Sequence, residues 1–141
     1  MGIEDKIRQI AKETFPEYSY IFEDWNAAAE VADRVRLPAI ICILPVGGHL
    51  NIAHGMLRDS EDLALAFVDK VVRDANGDDN EEVYTRMKTA AAKFMQELGA
   101  CHHFEPLPDK VRYTTIYESA SAYYTGVFVE LTLVERRGIC L

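Results

Sequence analysis

The sequence predicts an α+β fold, a mostly antiparallel β-sheet with two to three helices packed on one face. Three observations carry this. Val111–Glu135, VRYTTIYESASAYYTGVFVELTLVE, reads as two alternating strands separated by a short Ser/Ala turn. Glu81–Leu98 is an amphipathic helix feeding that hairpin, with Val83, Met87, Ala90, Ala91, Phe94 and Leu98 on one stripe. Ala39–Leu44 is a continuous, β-rich apolar run, the pattern of a strand covered on both faces.

The elements follow in order. Ile3, Ile7, Ile10 and Ala11 share one face of a first helix, which ends before Pro16. Tyr18, Tyr20 and Phe22 alternate with Ser19 and Ile21 as a short strand. Asp24 or Asn26 caps a second helix, with Trp25, Ala28, Val31, Ala32 and Val35 on one face and Pro38 closing it. After the buried strand, Pro45, Gly47 and Gly48 break the chain as a tight turn. Leu50, Ile52, His54 and Met56 alternate with Asn51, Ala53 and Gly55 as a third strand, and Arg58–Asp62 reads as a polar turn.

Leu63–Val72 fits two templates. Ala64, Phe67, Val68, Val71 and Val72 match helical spacing, whereas the alternation of Leu63, Leu65 and Phe67 favours a strand paired with the one before it. Asp74–Asn80 is a loop, Asp79 and Glu82 resemble a capping box for the long helix, and Gly99 supplies its left-handed C-cap.

The chain has 141 residues, enough for a single domain over 1–141 that buries a core without disulfides or metal. Apolar residues make up 49% and charged residues 27%, ordinary for a soluble globular protein. No run approaches the roughly 20 apolar residues that span a bilayer. Met1–Ile10 has no apolar h-region, so no secretory signal is expected. With Lys6 where Ser or Thr is wanted and Cys140 penultimate, neither myristoylation at Gly2 nor prenylation is expected. Cys42, Cys101 and Cys140 are odd in number and scattered, as free thiols in a reducing cytosol would be. The net charge is −8 and no basic run exceeds Arg136–Arg137, which argues against nucleic-acid binding.

No catalytic, cofactor-binding or metal-ligating residue is assigned. Counted from Asp74, the acidic stretch Asp74, Asn76, Asp78, Asp79 lacks the Gly and Glu that a calcium loop needs at its sixth and twelfth positions. His49, His54, Cys101, His102 and His103 are zinc-type ligands without zinc spacing; the bland reading is a polar loop whose histidines sit at a helix C-terminus. Pro45–His49 follows a buried strand but lacks the Lys of a phosphate loop. Cys42 lies in an apolar run, where a thiol is inert. Glu118 and Glu130 are placed to face one another across the last hairpin, as a solvated sheet face. Tyr113, Tyr117, Tyr123, Tyr124 and Phe128 lack the interleaved basic residues of a nucleic-acid platform and suit cross-strand packing or a subunit interface.

The order helix, strand, helix, buried strand, polar hairpin, long helix, final hairpin resembles the small tail-terminator and minor tail proteins of long-tailed phages and prophages. YTGVFVELTLVE, after IYESASA, is similar to their last-strand region, where a Gly precedes an alternating strand. The resemblance implies helices on a mostly antiparallel sheet. It also implies copies assembled in a ring, often a hexamer, that closes the tail tube beside the head with tail or connector proteins as partners. Its locations would be the bacterial cytoplasm and the virion. DNA passes through such a lumen, and an acidic wall would avoid trapping it. The alternative from a different class is a small cytosolic enzyme or ligand-binding module on a ferredoxin-like α+β sandwich. Its site would be a concavity around His49, His54 and His102.

Overall fold

Two 15-residue strands joined by a two-residue turn organise the molecule; both described helices pack on one half of that ribbon, and β6 pairs with β3 beside the turn. The computed structural model describes residues 2–24, 27, 36–70, 77–116, 124–136 and 139–140. The elements are α1 (Ile3–Thr14), β1 (Ser19–Glu23), β2 (Ala39–Ala53), β3 (Met56–Lys70), α2 (Gly77–Ala100), β4 (Tyr113–Ile116), β5 (Tyr124–Val134) and β6 (Ile139–Cys140). The six strands form one sheet in the order β1-β2-β3-β5-β4, with β6 against β3. All pairings are antiparallel except β1 with β2, where Ser19 lies beside Ala39.

Strand alternation divides the apolar residues between two faces. Ile40, Cys42, Leu63, Leu65, Phe67 and Val127 point to the side that carries both described helices. There they meet Ile3, Ile7, Ile10 and Ala11 of α1 and Val83, Met87, Ala90, Ala91, Phe94 and Leu98 of α2, the two predicted stripes. Ile21, Ala39, Ile41, Ala66, Val68 and Tyr124 are buried on the opposite side. The doubly covered strand read from Ala39–Leu44 is therefore present, with Ala39, Ile40, Ile41 and Cys42 all buried. No helix among the described residues is long and apolar enough to cross a membrane.

Parallel neighbours need a crossover of about a dozen residues or more, and the expected second helix falls between β1 and β2. Trp25, Asn26 and residues 28–35 lie outside the described residues. At the described end of this segment, the Ala27 backbone N–H donates to Asp24 Oδ1 at 2.8 Å, the contact expected of Asp24 as a cap. The Ser/Ala turn of the final hairpin, within 117–123, is likewise outside, but the two strands flanking it pair as expected, Thr115 with Val127 and Ile116 with Gly126. At Gly126 an added Cβ would lie 1.8 Å from the Phe67 carbonyl oxygen, so the strands approach as closely as they do only because this residue is glycine.

The middle of the chain corrects the sequence reading. Pro45–Gly48 is no turn; β2 runs through it with a register shift between Ile43 and Gly47, and an irregularity of this kind is where a strand tolerates Pro. Gly48 answers to a close approach instead, since a Cβ there would stand 2.0 Å from the Ser60 carbonyl oxygen. The supposed third strand is the far half of β2, which ends at Ala53. His54 and Gly55, with φ of 53° and 74°, reverse the chain as a two-residue hairpin loop, and Met56 already belongs to β3. Arg58–Asp62 is strand, not turn, each residue paired with the Gly47–Asn51 stretch. Leu63–Lys70 is strand, as the alternation indicated; 71 and 72 are outside the described residues.

The long helix also differs at its ends. It includes Gly77–Asn80, so Asp79 lies in its first turn beside Asp78, where both favour the helix dipole, rather than at an N-cap. It continues through Gly99 to Ala100, and the left-handed conformation falls on His102, with φ of 61°.

Candidate interaction surface

Past Ile43 and Ala64 the β2–β3 ribbon leaves the helices behind. β1 pairs with β2 only as far as Ile43, so the Gly47–Ala53 edge of β2 has no partner strand among the described residues. Every residue from Gly47 to Met56 is exposed. Leu50 stands opposite Asp59 and Ile52 opposite Leu57 on one ribbon face, and their relative exposures are 66% and 65%. Met56 adds a third exposed apolar side chain at the turn. An apolar patch raised on an unpaired edge is the usual mark of a surface that meets another protein.

The root of this arm is fixed. Arg58 forms an ion pair with Glu105, and its Nε donates to the Glu135 carbonyl oxygen at 3.0 Å. The Glu135 N–H in turn donates to the Asp59 carbonyl oxygen at 3.0 Å. Thr132 Oγ1 donates to Asp62 Oδ1 at 2.6 Å. Partial burial, and then the neighbouring Asp59 carboxylate, push the Glu61 carboxyl above its ordinary range. Charged and polar contacts thus hold the ribbon along Arg58–Asp62, level with Leu50, and β6 pairs with Met56 and Leu57 beside the turn.

On the second sheet face a groove of about 470 Å³ has an apolar floor that includes Ile43, Ala64 and Phe128, and polar walls that include Asp62, Glu130 and Thr132. A different cavity, of about 510 Å³, is lined by Lys6, Cys101, His102, His103 and Arg136.

The histidines named from the sequence do not converge. His49 is on the arm opposite Ser60, His54 is in the turn, and His102 and His103 follow α2. Among the described residues no three His, Cys, Asp or Glu side chains gather to hold a metal ion. Asp78 and Asp79 are helical, and Asp74 and Asn76 are outside the described residues. Gly47–His49 is followed by strand, not by the helix a phosphate loop requires. Cys42 is buried, and burial raises its thiol to about 11, which suppresses the thiolate. Cys101 is half-buried, and its Sγ donates to the Leu98 carbonyl oxygen at 3.1 Å.

The aromatics of the last hairpin divide between the faces. Tyr113 is exposed and pairs its hydroxyl with that of Tyr84 at 3.1 Å, while Lys88 sits 4.7 Å over the Tyr84 ring. Tyr124 is fully buried on the opposite face with Phe128 packed nearby. They do not form one stacking platform. Tyr117, Tyr123 and Glu118 are outside the described residues.

Sequence reasoning missed the arm because its two halves carried different signals, a breaker-rich stretch and a polar one. The Gly55 following His54 was the available cue for a tight hairpin. Compared with known proteins, the sequence matches no family model and no curated protein.

Proposed function

We propose that this chain is a structural, self-associating subunit of a phage or prophage tail, a ring-forming tail terminator or minor tail protein at the head–tail junction. The observation that carries the reading is the anchored arm, with Leu50 and Ile52 held in water on a β2 edge that has no partner strand among the described residues, and Met56 exposed beside the turn. A monomer gains nothing from this arrangement, whereas a neighbouring copy that covers it recovers about 1.5–3 kcal/mol for each large apolar side chain. A head-to-tail contact between different patches closes into a ring when its rotation divides the circle. Its partners are further copies, hexameric by the family resemblance, and tail or connector proteins; its places are the bacterial cytoplasm and the virion. The formal charge of −8 suits a lumen that DNA must traverse without sticking.

The test is light scattering over a concentration series, with electron microscopy of the protein mixed with tail tubes of its phage. Ring-sized particles or capped tubes support the reading. A protein that stays monomeric when concentrated and leaves tubes uncapped refutes it and moves the ligand-binding alternative forward.

A further inference from the structure

The cavity between Lys6, Cys101, His102, His103 and Arg136 gathers four basic side chains from three parts of the chain in a protein whose net charge is −8. Lys6 comes from α1, the two histidines from the segment after α2, and Arg136 from just beyond β5. Backbone pairing fixes the histidine segment against Arg136, and Lys6 Nζ lies 5.8 Å from the centre of the Phe104 ring. The Arg136 N–H donates to the His103 carbonyl oxygen at 3.0 Å, the Glu105 N–H to the Val134 carbonyl oxygen at 2.8 Å, and Phe104 bridges Glu135. The Arg136 guanidinium reaches His102 Nδ1 at 3.4 Å.

Charge balance at the end of α2 accounts for part of this. Exposed helix carbonyls favour cations, and one imidazole would meet that need. It does not explain why Lys6 and Arg136 converge there from other elements. One carboxylate opposes them: Glu135 Oε2 lies 3.7 Å from Lys6 Nζ. Among the described residues, no acidic side chain lines the cavity itself.

We propose that this cavity binds a phosphorylated small molecule. Arg136 and His102 would donate to the phosphomonoester oxygens, with Lys6 and His103 supplying further positive charge and donors. A guanidinium fork matches phosphoryl geometry, and an ammonium adds a point charge. The volume of about 510 Å³ leaves room beyond the phosphoryl group for the rest of a small molecule. The site is separate from the arm and stands or falls independently of the tail assignment.

The test is isothermal titration calorimetry with inorganic phosphate as the probe, at an ionic strength held constant with chloride. The expected result is one saturable site with Kd below about 1 mM. Arg136→Gln and Lys6→Gln should each weaken it by about tenfold or more while circular dichroism shows a native fold, and Arg112→Gln, outside the cavity, should leave it unchanged. Absence of a saturable signal, or an unchanged affinity in folded Arg136→Gln, overturns the proposal. So does a single-stranded oligonucleotide that binds more tightly than phosphate and is lost in the same variants, because the site would then serve a nucleic-acid backbone.

Discussion

Phe94→Ala probes the layer on which the fold rests. Phe94 lies at the centre of the α2 stripe, fully buried, edge-on to Phe67 with ring centroids 5.6 Å apart and stacked on Phe15 at 6.4 Å. Removing the ring loses its transfer free energy and leaves a cavity between α2 and the sheet, together about 3–5 kcal/mol. The two ring contacts, worth about 0.5–1.5 kcal/mol each, place the result toward the upper end. A domain of this size is stable by about 5–15 kcal/mol, so the variant remains folded with much of its margin gone. Urea unfolding followed by circular dichroism should show a lower midpoint with the slope unchanged, and melting should fall by roughly 10–20 °C. Gln96→Ala, an exposed position on the same helix, should stay within about 0.5 kcal/mol of the parent. A loss below about 1 kcal/mol for Phe94→Ala would refute the packing of α2 on β3.

Two further predictions follow from local structure. Gly99 is helical, and a Cβ there meets nothing within 4 Å, so Gly99→Ala should raise stability in urea by about 0.5–1 kcal/mol, whereas a left-handed Gly99 would make the same change destabilising. Glu61 is held protonated to higher pH in the folded state than in the unfolded chain, so the folded state binds more protons there and stability falls as pH rises from the ordinary glutamate range through the raised value. Glu61→Gln should flatten that decline and stabilise the protein at neutral pH; melting curves across acidic to neutral pH check it, and an unchanged profile contradicts it.

The elements legible in the sequence were those with a buried face. The stripe of Ile3, Ile7, Ile10 and Ala11, the stripe from Val83 to Leu98, and the apolar run from Ala39 each record a core that solvent cannot reach. The arm left no such record. Its Arg58–Asp62 stretch is polar although Ser60 is buried and its neighbours half-buried, because Arg58 and Asp62 find partners in Glu105, Glu135 and Thr132, and a polar run reads as a turn. Leu50 and Ile52 alternate like core residues, and periodicity does not distinguish a face covered by the same chain from one left for another. The reversal falls on His54, a residue less typical of a left-handed turn than Asn or Gly, which hid where the expected hairpin turns. Gly99 and His102 show the same exchange, since the expected left-handed glycine is helical and a histidine three residues later takes the conformation. The basic cavity was illegible for another reason: Lys6, His102 and Arg136 meet only through tertiary structure, and no local spacing announces them.

The most direct test of the account is the solution mass by light scattering, compared between the parent chain and a Leu50→Asp/Ile52→Asp variant with the same circular dichroism spectrum. Losing two buried contacts of about 1.5–3 kcal/mol each should weaken self-association by roughly a hundredfold or more. The account predicts that the parent rises with concentration to the mass of a closed ring, with intermediate sizes scarce, and that the variant remains a monomer over the same range. A parent that stays monomeric throughout and leaves tail tubes uncapped, or a variant that assembles as readily, would contradict it.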